Sequence, residues 1–414
     1  MTRLGADFRD AGHFARAARP CAEVLLAVSL VIAFGVFGHA AGEAGVTQGP
    51  RADRAALPAA SGRSYVLIFS FITQRYFPKN DSMGEWIALL NASPYDGTAV
   101  WLRDAYDARP LPSWEETEPL LRRFKETCKK DLWFTVYLNW LIEHDPQHSS
   151  QHAQSQQVLD YSSRPRGMDL DGRAGNLADF MEHLTIALRS ARYLGAPGII
   201  VDPEAYNNHA MYRLEDLAAR REESVAEARR ELEALGRRMG EIVEKEYPDA
   251  VMLFLFIEPG LTTENIARGL LDHLRERGLG ARVIEGGESR RSLGYVNSTL
   301  DALREKMARR TRLYSDLLAR YPDNFMLGGT IALADTPERR TGWIKEQYEK
   351  SPIRSVEDLI PHLEVLFASY PYVWVYAAGA ADYLPYEPDK AKRFDDAVRR
   401  ALESVRSTRE ETAK

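Results

Sequence analysis

From residue 64 onward the chain alternates two patterns. Short apolar runs are followed by longer stretches in which apolar residues recur every third or fourth position. The runs are YVLIFSFI (65–72), GTAVWLR (97–103), LWFTVYLNW (132–140), PGIIVDPEAY (197–206), VMLFLFIEP (251–259), ARVIEGGE (281–288), FMLGGTIAL (325–333) and YVWVYAAG (372–379). Their length and their β-branched and aromatic content predict strands. The stretches between them, among them WEETEPLLRRFKETCKK, TTENIARGLLDHLRERG and LDALREKMARRTRLYSDLLARYP, predict amphipathic helices. Strand–helix alternation implies parallel pairing. Eight such units predict an α/β fold, a (β/α)8 TIM barrel, as a single domain over residues 63–414.

Parity within the runs predicts which side chains face the barrel axis. In the third run Phe134, Val136 and Leu138 share one face, and Trp133, Thr135, Tyr137 and Asn139 the other. In the last run Val373 and Val375 oppose Tyr372, Trp374 and Tyr376. The aliphatic faces suit packing under helices, and the polar and aromatic faces suit the axis and its upper mouth. The sixth strand is short and Gly-rich. The charged segment 216–245 predicts an exposed outer helix laced with i, i+4 ion pairs.

The N-terminal residues follow a different pattern. Arg3, Arg9, Arg16 and Arg19 precede an apolar run, AEVLLAVSLVIAFGVF (22–37), and small residues, GHAAGEA, follow it. Residues 1–44 therefore read as an export signal peptide, or as an uncleaved N-terminal anchor of the same topology. Either reading puts the body of the protein outside the cytoplasm, periplasmic or secreted. Residues 45–62, rich in Ala, Gly and Pro, read as a flexible lead-in.

Composition narrows the partners. With 414 residues, 45% hydrophobic and 28% charged, the chain is globular in character, and its net charge is −6. No broad basic field exists, which argues against a nucleic-acid partner. A membrane is implied only through the N-terminal segment. Of the two cysteines, Cys21 falls in that segment, and Cys128 reads as a small core residue. No phosphate-cradling or dinucleotide-binding glycine motif is present, nor a Ser-centred elbow, and no cofactor is implied.

The chemistry gathers at the strand ends, where a barrel of this type holds its active site. The first ends in Gln74 and Arg75, the second in Arg103, the third in Asn139 and Trp140. The fourth carries Asp202 and Glu204, two apart and so aimed the same way, followed by Tyr206 and Asn207. The fifth ends in Glu258, the sixth in Glu285 and Glu288, the eighth in Trp374 and Tyr376. Paired carboxylates among aromatic platforms suit glycosidic bond cleavage, in which one carboxyl protonates the leaving oxygen and another attacks carbon or activates water. Asp202, Glu204, Glu258 and Glu288 are the candidate acids. Gln74, Arg75, Arg103, Asn139, Trp140, Tyr206, Asn207, Trp374 and Tyr376 are the candidate sugar contacts.

On these residues the chain resembles the (β/α)8 glycoside hydrolase superfamily. GIIVDPEAY is similar to the fourth-strand ending of the chitinase-like families, Asp-x-Glu. That resemblance implies Glu204 as acid and Asp202 as the group that orients a substrate N-acetyl. It is also similar to that of the α-amylase-like families, which implies Asp202 as nucleophile and Glu258 as acid/base. Ile200 stands where the fuller signature of either group has a charged residue, so the resemblance is to the superfamily and to no one family. It implies an O-glycosyl hydrolase acting on a polysaccharide or oligosaccharide.

Two other readings come from other classes. One is a carbohydrate-binding barrel without catalysis. The other is a metal-dependent barrel hydrolase using His144, His148 and His152, which recur every fourth residue in the long connection 141–175. Pro146, Ser149 and Ser150 argue against the helix those histidines would need. Asp169 and Asp171 lack the rest of a calcium-loop pattern. No metal site is assigned.

Overall fold

A computed structural model describes residues 64–69, 83–101, 113–138, 175–203, 213–289, 291–295, 299–333, 355–377 and 388–412. Within them every predicted strand is present. They are β1 (Tyr65–Phe69), β2 (Gly97–Trp101), β3 (Asp131–Tyr137), β4 (Gly198–Asp202), β5 (Val251–Phe254), β6 (Arg282–Glu285), β7 (Phe325–Leu327), β8 (Gly329–Leu333) and β9 (Tyr372–Ala377). All pair in parallel, in the order β7-β6-β5-β4-β3-β2-β1-β9-β8.

The two ends of that order are halves of one run. FMLGGTIAL divides at Gly328, so its first half pairs with β6 and its second with β9. The sheet thereby comes round on itself, and the architecture is the (β/α)8 barrel the alternation predicts.

Helices intervene between strands: α1 (Met83–Ala92), α2 (Trp114–Thr127), α3 (Gly175–Leu194), α4 (Leu214–Arg220), α5 (Val225–Glu246), α6 (Thr262–Arg277), α7 (Leu300–Leu313), α8 (Ser315–Arg320), α9 (Ile360–Ser369) and α10 (Pro388–Thr412). Some of their starts are chemically specified. Ser113 and Ser224 each close a capping box, with Glu116 and Glu227 answering three residues on. α5 buries Ala228, Leu232, Leu235, Met239 and Val243 as one stripe. Its charges do not pair as expected. They reach across to α6, Arg237 to Glu276 at 2.6 Å and Glu244 to Arg277 at 2.6 Å. Among the described residues no helix is long and apolar enough to cross a membrane.

Ring contacts show which face looks inward. Tyr65, Trp133 and Tyr372 come from β1, β3 and β9, yet their rings meet at 5.6–6.1 Å. Strands that are not neighbours can share side-chain contacts only through the barrel interior. Trp133 therefore points inward, and with it Thr135 and Tyr137, two and four residues on. Register carries this to β4: Thr135 lies beside Ile200 and Tyr137 beside Asp202. Asp202 thus ends β4 on the inner face, at the C-terminal mouth.

Candidate active site

Asp202 is 3% exposed, the terminal residue of a strand whose other members are apolar and buried. Beyond the regular ladder, β4, β5 and β6 stay linked. Leu255 N–H donates to the Val201 carbonyl at 3.0 Å, and Glu288 N–H donates to the Leu255 carbonyl at 3.0 Å. These bonds bring the segments carrying Asp202, Glu258 and Glu288 side by side at the mouth. Glu258 and Glu288 each stand three or four residues past their strand ends, farther out than the runs suggest.

A bulge aims Glu288. Gly286 N–H bonds the Phe254 carbonyl and Glu288 N–H bonds that of Leu255, so two residues advance on the β6 side for one on the β5 side. Gly287 absorbs the extra residue at φ 92°, where a side chain is strained. At Gly286 a Cβ would meet the Phe254 carbonyl oxygen at 2.6 Å and Trp374 Nε1 at 3.0 Å. The two glycines that make this strand look weak in sequence are what the bulge requires.

The bulge separates the two acids of ARVIEGGE by role. Glu285 faces outward and is fully buried against α7. Arg310 Nε donates to its carboxylate at 2.6 Å, Gly287 N–H at 2.9 Å and Ser292 Oγ–H at 3.2 Å. Burial pushes the Glu285 carboxyl up, and the Arg310 guanidinium pulls it back. Glu285 is a foundation for the following loop, not a group of the mouth, contrary to its reading as a functional strand end.

That loop, residues 286–295, supplies partners to both remaining acids. Ser289 donates its hydroxyl to one oxygen of Glu258, and Arg291 Nε lies 3.1 Å from the other. Tyr295 donates its phenol to Glu288. The Tyr295 ring stacks on Tyr376 at 4.7 Å and 27°, and meets Trp374 edge-on at 5.6 Å. Glu258 and Glu288, with Tyr376 from β9, are thereby gathered by one loop.

Helix α7 holds the loop in place. Lys306, Arg310 and Tyr314 recur every fourth residue and so form one stripe. Lys306 Nζ donates to the Leu293 carbonyl at 2.8 Å, Arg310 to the Glu285 and Gly328 carbonyls at 2.5 Å each, and Tyr314 to the Ile257 carbonyl, next to Glu258. Burial, with the Arg309 charge beside it, pushes the Lys306 ammonium down to about 8. Ala332 N–H on β8 fixes the far end of the loop through the Tyr295 carbonyl at 2.9 Å.

The other sequence-predicted residues divide cleanly. Tyr376 reaches this cluster. Trp374 does not offer a platform: it is 1% exposed, with Nε1 donating to the Gly286 carbonyl at 2.8 Å and its ring against Phe69 at 5.6 Å. It floors the mouth, because the Tyr295 ring lies against it. Glu204, Gln74, Arg75, Arg103, Asn139, Trp140, Tyr206 and Asn207 lie outside the described residues, as do residues 1–63, the histidines of the 141–175 connection, and Asp169 and Asp171. Among the described residues no group of three His, Cys, Asp or Glu side chains could hold a metal ion.

Sequence reasoning passed over Ser289, Arg291 and Tyr295. Their signal was the Gly-Gly break itself, which marks a loop at the mouth. The bracing stripe left a signal too. Arg310 falls on the face of α7 that buries Leu303 and Met307, where an apolar residue is the norm.

The site is thus a barrel mouth with acids at or just past three adjacent strand ends, one of which, Glu288, accepts from a tyrosine stacked on a second. No family model matches the chain, and no curated protein matches it. Solved structures resemble it. One is a GH113 β-mannanase from Alicyclobacillus acidocaldarius, at 13% identity over 83% of this chain and 98% of that one, with a TM-score of 0.43. Another is endonuclease IV from Thermus thermophilus, at 13% identity over 83% and 100%, with a TM-score of 0.40. A third is the spore coat polysaccharide biosynthesis protein spsE from Bacillus subtilis, at 10% identity over 84% and 71%, with a TM-score of 0.39. Barrels serve many chemistries, so fold alone selects none. The barrel here is established by its own strand register.

Proposed function

We propose that this protein is an exported glycoside hydrolase that cleaves a polysaccharide or oligosaccharide with the carboxylates of its barrel mouth. The observation that carries the reading is the pairing of Glu258 and Glu288 with donors from a single loop, beside the stacked rings of Tyr295 and Tyr376. Two acids held at adjacent strand ends can divide proton donation and attack on the anomeric carbon between them. Their partners differ: a cation and a hydroxyl at Glu258, a phenol at Glu288. Asp202, buried at the end of β4, and Glu204, two residues on, complete the proposed acid set. Export rests on the Arg-flanked apolar run at residues 22–37.

The test is reducing-sugar release by the mature protein across plant, fungal and bacterial polysaccharides. Asp202→Asn, Glu204→Gln, Glu258→Gln and Glu288→Gln are assayed alongside. The expected result is release by the wild type and a loss of two orders of magnitude or more in at least two variants, by the scale of general acid–base catalysis, about 10²–10⁴-fold. Binding without release on any substrate favours the non-catalytic barrel instead.

A further inference from the structure

Arg291 stands apart from the other groups of the mouth. Its side chain is 71% exposed, while that of Glu258, to which it reaches, is 14% exposed. Its root is fixed: Arg291 N–H donates to Ser289 Oγ at 3.2 Å, Ser292 N–H donates to the Ser289 carbonyl at 2.8 Å, and Ser292 Oγ–H donates to the buried Glu285. From that anchored root a long flexible stem lays a guanidinium over an acid of the proposed catalytic set. The other Glu258 oxygen already accepts from Ser289. Both oxygens are thus engaged, and Arg291 stands between one of them and solvent.

We infer that Arg291 selects a carboxylate-bearing sugar, a uronate, by exchanging its ion pair with Glu258 for one with the substrate. The inference rests on the carbohydrate reading above and names the substrate class of that same site. An ion pair with one exposed partner contributes little net stability, because water replaces the lost contact. The guanidinium can therefore leave Glu258 readily. A uronate carboxylate offers it the same planar, two-oxygen partner, so the exchange is like for like. Uronate binding and the uncovering of Glu258 become one event. A neutral sugar must open the pair and leave the guanidinium with water alone. The chain carries a net charge of −6, which supplies no long-range attraction for a polyanion. Selection is then made at contact, by this side chain.

The test is calorimetric titration of the protein with oligomers of galacturonate, guluronate and hyaluronan, each against its carboxyl-reduced counterpart of identical linkage. Neutral β-mannan and β-glucan oligomers complete the set. The expected result is that one acidic oligomer binds at least about tenfold more tightly than its reduced form. Arg291→Gln erases that preference and Arg291→Lys retains part of it, with unchanged circular dichroism in both. Equal binding of the acidic and reduced forms overturns the inference. So does a preference that survives Arg291→Gln, or binding confined to the neutral oligomers, and in these cases the carbohydrate reading stands. Binding of no oligomer overturns the inference as well, and reducing-sugar release across the wider polysaccharide panel then decides the carbohydrate reading by itself.

Discussion

Arg310, on α7, grips Glu285, on β6, by carboxylate and backbone carbonyl together, with both side chains fully buried. The pair ties an outer helix to the strand from which the active-site loop departs. Removing one partner leaves the other charge buried and uncompensated. Arg310→Met or Glu285→Gln is expected to cost about 3–5 kcal/mol. The double replacement Glu285→Leu with Arg310→Met is expected to be less destabilised than either single variant. Urea denaturation of the three variants checks this.

The Tyr295 phenol is expected to matter separately from its ring. Tyr295→Phe keeps the stack on Tyr376 and removes the donor to Glu288. A hydrogen bond to a charged group contributes about 1.5–3 kcal/mol, which corresponds to a fall in kcat of roughly 10- to 150-fold. Steady-state kinetics on the substrate found by the polysaccharide panel, with thermal melting as a control for folding, gives the answer. A kcat within twofold of wild type would remove Tyr295 from the site.

Gly287→Ala probes the bulge. At φ 92° an alanine is strained, and its Cβ would meet Leu293 at 3.2 Å and Thr330 at 3.3 Å. The expected loss is about 1–3 kcal/mol of stability. Because the bulge aims Glu288, activity should fall more than the melting shift alone accounts for. Comparing kcat well below the melting temperature with the change in denaturation midpoint separates the two effects.

Lys306 predicts a pH dependence of stability. Its folded-state ammonium is pushed down to about 8, from an ordinary value of 10.5. Between those values the unfolded chain binds the extra proton, so the Lys306 contribution to stability rises with pH through that window, by up to about 1.4 kcal/mol per pH unit. Below pH 8 both states hold the proton and the penalty of the buried charge is fully present. Urea midpoints at pH 7.5, 9 and 10 for wild type and Lys306→Met check the sign. Relative to the variant, the wild type should gain stability at each step up in pH, and a constant difference would refute the assignment.

Much of the barrel was legible because strand and helix periodicity is local. LWFTVYLNW states its own inner and outer faces, and the rings of Trp133 and Tyr372 do meet inside the barrel as parity requires. The end of β4 was legible for the same reason: parity alone puts Asp202 on the side of Trp133 once the register is known.

Other assignments depended on residues far apart in the chain. Parity treats Trp374 as an inward aromatic at the mouth, but only closure of the sheet brings Phe69 and Tyr295 over it and turns a platform into a floor. Composition cannot tell Glu285 from Glu288, three residues on. A bulge at Gly287 and a guanidinium on α7 send one into the wall and the other into the mouth.

Local periodicity was therefore enough for the alternation of strands and helices, the inner and outer faces of the strands, and the edge of the barrel where the acids collect. Each follows from a side-chain period read along one segment. Long-range packing settles the rest: which acid is buried as a brace, which donors reach the others, and that Lys306, Arg310 and Tyr314 support the loop from behind. A buried charge is tolerated only where a partner of the right geometry is delivered, and that delivery depends on how the closed sheet and its helices pack in three dimensions.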